Sequence, residues 1–195
     1  MRDFTNMTEL LFGIALFFGM HSISVVAEPI RDRIAAKNEL SWKMIYSLTS
    51  LVGLILMSRG YADARMTPTI LYLTPSWMRH VAAVLLLPTF VFFLASIFPG
   101  KIKETVKHPI LIAVKSWAVA HLLVNGMLAD VLLFGSFLVW AVLVRISMRS
   151  RTPRVIPGAP PSSSNDVISI VAGIALYLAT VFWLHEWVIG VRPFV

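Results

Sequence analysis

Residues 109–147 read PILIAVKSWAVAHLLVNGMLADVLLFGSFLVWAVLVRIS. Two apolar runs, 109–125 and 127–147, flank the Asn125-Gly126 dipeptide. Neither run alternates polar with apolar, as a strand of a transmembrane barrel would. Lipid offers no hydrogen bonds to a peptide group, so an apolar run of this kind must satisfy its backbone internally, as a helix. Asn-Gly marks a tight turn and predicts that the two helices pack as an antiparallel hairpin.

Four further runs complete the pattern, at 7–27, 43–59, 77–98 and 167–189. A hydrocarbon layer of ~30 Å needs about 20 helical residues; the runs at 43–59 and 109–125 are short by that measure. The whole chain of 195 residues is 57% hydrophobic and 14% charged, with a mean hydropathy of +0.78. The reading is an all-α integral membrane protein, a bundle of about six transmembrane helices, with no room for a sizeable soluble domain. Pro88 should kink the third helix, because it removes a backbone donor and crowds the preceding turn. The first run lacks a basic lead and a small-residue cleavage site and reads as a retained helix. Residues 151–166, rich in Pro and Ser, read as a mobile cytoplasmic linker between a five-helix block (1–150) and a C-terminal helix (167–195).

The basic residues set an orientation. Arg31, Arg33, Lys37, Lys43, Lys101, Lys103, Lys107, Lys115, Arg145, Arg149, Arg151 and Arg154 fall on one side. Arg2, Arg59, Arg65, Arg79 and Arg192 fall on the other. The positive-inside rule then puts both termini outside. The net charge of +7 is therefore a topology signal, and with no folded reading head a nucleic-acid partner is not expected. The chain has no cysteine, which removes thiolate ligands and thiol nucleophiles.

Ionisable groups inside lipid are costly and mark functional sites by default. The histidines are the notable set: His21, His80, His108, His121 and His185. A neutral imidazole can ligate iron through one nitrogen while the other donates to a second-shell acceptor. At ~1.5 Å per residue, His21 lies about 21 Å below the outer face and His121 about 12 Å, so a haem between them requires tilt. Trp117, His121 and Asn125 share one helical face, where Asn125 could orient the imidazole. His108, about 220° from His121 around the helix, cannot join it on one metal. Lys115 is placed to snorkel to the inner surface or to pair with a haem propionate. Asp130 and Glu186 read as outer-surface groups or partners of Arg79, and His80 and His185 as groups meeting water or headgroups. The competing reading of His21 and His121 is interhelical hydrogen bonding without a metal.

A family resemblance adds to this. Gly19-Met20-His21-Ser22, Gly60-Tyr61-Ala62-Asp63-Ala64-Arg65, Pro75-Ser76-Trp77-Met78-Arg79-His80, Phe98-Pro99-Gly100-Lys101-Ile102-Lys103 and Lys107-His108-Pro109 resemble strings of the NnrU membrane-protein family; residues 107–141 are the clearest match. The resemblance implies a multi-pass protein of the bacterial inner membrane linked to nitrite and nitric oxide metabolism. That family is similar to the 15-cis-zeta-carotene isomerase of plants and cyanobacteria, which depends on haem b. By that likeness His21 and His121 are axial ligands and His108 is the His-Pro histidine. Without cysteine, ligand exchange through a thiolate is impossible here.

Three functions compete. The first is a haem b protein with a redox or isomerase-like role, whose partners would be a polyene or quinone-like lipophilic substrate and respiratory or denitrification proteins. The second is a membrane methyltransferase-like enzyme, since Lys107-His108-Pro109 resembles an Arg-His-Pro motif that helps bind S-adenosylmethionine; the acidic, aromatic segment that follows it in those enzymes is missing. The third is a non-catalytic assembly or transport protein.

Overall fold

The computed structural model describes residues 2–150 and 158–193, and their regular structure is helical apart from one isolated bridge between Ile70 and Met127. Five helices are long and apolar enough to cross a membrane: Met7–Val26, Glu39–Ala64, Met78–Ile97, Leu128–Ser147 and Ser164–Ile189. Pro109–Val124 is a shorter apolar helix. Most of their large apolar side chains face outward, Leu48, Leu51, Ile55, Val84 and Val171 among them. Such a surface suits lipid, which solvates it without the penalty that water imposes.

The helices form two units, 1–73 with 126–150, and 74–125 with 151–195. The first contains α1 (Arg2–Val26), α2 (Glu28–Lys37), α3 (Glu39–Ala64) and α8 (Leu128–Ser147). The second contains α4 (Met78–Leu86), α5 (Thr89–Ile97), α6 (Lys101–Val106), α7 (Pro109–Val124), α9 (Ser164–Ala179) and α10 (His185–Ile189). The division passes through Asn125-Gly126, where a hairpin was expected: α7 finds its partners in α4 and α5, and α8 finds its partners in α1 and α3.

In the first unit α1 and α3 run antiparallel in close contact, because small residues let their backbones approach. A Cβ on Gly60 would lie 2.8 Å from Leu10 Cα, one on Gly13 would lie 2.8 Å from Met57 Cα, and one on Gly53 would lie 2.8 Å from Phe17 N. Leu10 is fully buried at this seam. The Asn38 side chain accepts from Ser41 N at 3.0 Å, capping α3 and starting it earlier than the apolar run suggested. At the other end, Gly126 O accepts from Leu71 N (2.8 Å) and Tyr72 N (3.2 Å), and Thr69 O accepts from Leu128 N (2.8 Å). Asp130 sits under this loop. It is 1% exposed and accepts from Tyr61 Oη at 2.6 Å and from Met127 N at 2.9 Å. That corrects the surface role expected for Asp130. Arg79 instead donates to Ser76 O at 2.8 Å, and Glu186 pairs with Arg192 at 2.6 Å. Tyr72 lies outside the spans, and burial, with the Asp130 carboxylate in second place, raises its hydroxyl pKa above the ordinary value.

In the second unit Pro88 breaks the third span, as its sequence position requires: helix stops at Leu86 and resumes at Thr89. Tyr177 Oη donates to Ala83 O at 3.0 Å just before the break, and Gly173 lies against the Val91 backbone. The C-terminal span therefore packs on the third span. Its entry is clasped as well. Asp166 accepts from Lys101 N (2.9 Å) and Ile102 N (3.1 Å), capping α6 from a distant part of the chain. Asn165 Nδ2 donates to Pro99 O and Pro160 O, each at 2.9 Å. Residues 151–157 of the expected linker lie outside the described residues, whereas Ala159 N and Ser162 N bond to Ile97 O (2.9 Å) and Pro99 O (3.2 Å).

Candidate functional site

Each of the two deep histidines has its ring fixed by its own helix. His21 Nδ1 and Phe17 O are 2.8 Å apart, as are His121 Nδ1 and Trp117 O. A carbonyl oxygen only accepts, so Nδ1 carries the proton in both rings. The neutral tautomer then places the lone pair on Nε2, the arrangement of a metal-ligating imidazole whose orientation a second-shell acceptor holds.

The surroundings differ. His21 sits in an aromatic cage of the first unit: Phe17 stacks on it at 4.0 Å between ring centres, Tyr46 lies at 5.1 Å and Trp140 at 5.8 Å. Phe18 and Phe137 extend the cage, edge to face at 4.8 Å. Trp140 Nε1 is buried there without a hydrogen-bond partner. An orphaned donor beside an imidazole is a place for a polar atom of a ligand.

His121 occupies the last turn of α7, in the second unit. Trp117 lies 5.1 Å from its ring. Asn125 Nδ2 donates to His121 O at 2.9 Å, so the amide stops the helix while the Trp117 carbonyl holds the ring. Lys115 is half-buried and about 120° from His121 around α7. His108 forms the N-cap of α7 on the far side, and its carbonyl accepts from Leu111 N at 3.1 Å. It follows Lys107, the single described non-glycine residue with positive φ (63°, ψ −43°). His108 N bonds to Val106 O at 2.7 Å across it, a γ-turn of the strained positive-φ kind. His80 is exposed, with Nδ1 3.2 Å from Trp77 O.

His185, expected to meet water or headgroups, lies beside His121. Its ring centre is 6.5 Å from that of His121, with planes 23° apart. A five-residue π-helical turn, Thr180–Leu184, precedes it.

Each of these imidazoles, with Nε2 as its lone-pair nitrogen, has the chemistry of an iron ligand. Both assigned imidazoles present Nε2, and no group of three or more His, Cys, Asp or Glu able to hold an ion occurs among the described residues.

No curated protein and no solved structure matches the chain. A family model described as NnrU protein matches residues 9–193, which takes in both units and every histidine discussed above. The chain belongs to the NnrU family.

Proposed function

We propose that this NnrU protein binds haem b through neutral imidazoles and serves a redox or isomerase-like role in the bacterial inner membrane, linked to nitrite and nitric oxide metabolism. His121 would hold the iron through Nε2, and the family resemblance names His21 as the other residue that would hold it. The observation that carries the reading is the pair of Nδ1–H to carbonyl bonds, 2.8 Å each, which leave Nε2 as the lone-pair nitrogen in both rings. Bound iron would supply one-electron chemistry at a potential set by its ligands and the dry surroundings. The chain holds each ring by a backbone carbonyl, which resists rotation better than a side-chain partner would, and Lys115 could neutralise a propionate. A lipophilic polyene or quinone-like substrate would arrive through the bilayer, and respiratory or denitrification proteins would exchange electrons with it. Both termini lie on the periplasmic side, by the distribution of Lys and Arg.

The test is optical. Full-length protein purified in detergent from haem-replete cells should show a Soret band and a b-type pyridine haemochrome, and His121→Ala should abolish both. Colourless wild-type protein that takes up no added haemin refutes the reading.

A further inference from the structure

The last turns of the C-terminal span carry a separate polar feature at the edge of the membrane. At about 1.5 Å per residue, the 26 residues Ser164–Ile189 make a helix about 39 Å long, against a hydrocarbon core of about 30 Å. The excess of about 9 Å belongs to the headgroup layers. Glu186, one turn from the end of the helix, falls in the layer at the C-terminal end, where a carboxylate escapes the cost of burial in lipid.

Here the chain turns back on itself. Gly190 adopts φ +75°, ψ 15°, a left-handed cap, and His185 Nδ1 lies 2.7 Å from Val191 O. Cap and ring together hold Arg192 at the final turn, where its Nε lies 2.6 Å from Glu186 Oε1. On the Glu186 side is an open recess of about 530 Å³, lined by Trp183, Leu184, Glu186 and Trp187. That is within the usual size of a small-ligand site, about 300–1,000 Å³. Trp183 and Trp187 are 68% and 83% exposed, so the described residues leave both indoles uncovered.

The charges define what fits. Arg192 alone would draw any anionic headgroup, but Glu186 brings the pair to zero net charge. Such a pair is a dipole, and its electrostatic complement is a zwitterion. A guanidinium carries five N–H donors and a carboxylate about four lone-pair sites, so one ion pair leaves both groups able to bond further. The indoles supply faces for a cation. An ammonium with N–H donors also bonds the carboxylate, which a trimethylated one cannot do. The phosphoethanolamine headgroup of a membrane phospholipid has both charges, that kind of ammonium, and the same depth in the membrane.

We propose that Trp183, Glu186, Trp187 and Arg192 bind the headgroup of an ethanolamine phospholipid at the end of the last span. The phosphate accepts from Arg192, and the ammonium lies against the indoles and donates to Glu186. The site is independent of the haem reading.

The test uses full-length protein in non-ionic detergent, titrated with phosphatidylethanolamine or phosphatidylglycerol of the same acyl chains, with bound lipid counted by native mass spectrometry. Wild-type protein should bind phosphatidylethanolamine about 2–5-fold more tightly, the range expected of one exposed cation–π contact or ion pair. Trp187→Leu should remove that preference. Glu186→Gln should reverse it, since it takes away the partner of the ammonium and leaves Arg192 unneutralised for the anionic lipid. Arg192→Gln should weaken binding of both lipids. All three side chains are exposed, so the variants should keep the wild-type helical circular dichroism. Wild-type protein without a preference, or a preference that Glu186→Gln leaves unchanged, overturns the proposal and makes the two tryptophans ordinary interfacial anchors.

Discussion

The seam between α1 and α3 makes a quantitative prediction through a pair of glycines. A Cβ at position 60 would sit 2.8 Å from Leu10 Cα and 2.9 Å from Glu9 C, and both are backbone atoms that cannot swing aside. Ordinary carbon–carbon contact is about 3.5–4.0 Å, so α1 must retreat by about 0.7 Å or more. Overpacking of this kind costs about 1–3 kcal/mol. Gly19, on α1, would add a Cβ into open space, with nothing within 4 Å. Alanine favours a helix over glycine by about 0.8–1.0 kcal/mol at either position. Comparing Gly60→Ala with Gly19→Ala therefore cancels the propensity and isolates the strain. Equilibrium unfolding in mixed micelles, followed by tryptophan fluorescence, should place Gly60→Ala about 1–3 kcal/mol below Gly19→Ala. Gly19→Ala should itself match or exceed the wild type. Two variants within about 0.5 kcal/mol of each other would show that backbone approach does not hold this seam.

Two other substitutions probe buried polar contacts and strain. Tyr61→Phe removes the hydroxyl that donates to the Asp130 carboxylate at 2.6 Å; it should cost about 1–3 kcal/mol, and combined with Asp130→Asn the losses should fall short of additive, whereas additivity within about 0.5 kcal/mol would mean the pair is not coupled. Lys107→Gly relieves a φ of 63°. Relief of about 1–3 kcal/mol, less about 0.5–1 for the freedom glycine gains in the unfolded chain, should raise the unfolding midpoint. Lys107→Ala, which keeps the strain, should not, and equal midpoints for the two variants would refute the account.

The spans were legible because lipid enforces them: an apolar run of sufficient length has few alternatives, and the Pro88 break follows from a missing donor. The family was legible too, since its strings, from Gly19-Met20-His21-Ser22 to Lys107-His108-Pro109, stand nearly intact. Packing was harder to read. Gly19 and Gly135 meet open space while Gly13, Gly53 and Gly60 meet backbone, and glycine content alone does not distinguish them. Asp130 was assigned to the surface because a carboxylate near a helix start usually meets water; Tyr61, far away in sequence, provides its partner. The nearness of His185 to His121 was hidden for a geometric reason. A regular 3.6-residue period puts it off the packed face, and no residue type in Thr180–Leu184 announces the extra residue that returns it.

The clasp of Asn165 and Asp166 on the Pro99–Ile102 turn also sets an order of assembly. The two amide groups at the start of α6 leave the ribosome 65 and 64 residues before the carboxylate that satisfies them. At about 5–20 residues per second, that is a wait of roughly 3–13 seconds. The first unit is fully synthesised by Ser150, while the second stays open until the last span is inserted. A ribosome stalled just after α8 would therefore present one finished helical unit and one whose Pro99–Ile102 turn still lacks its cap.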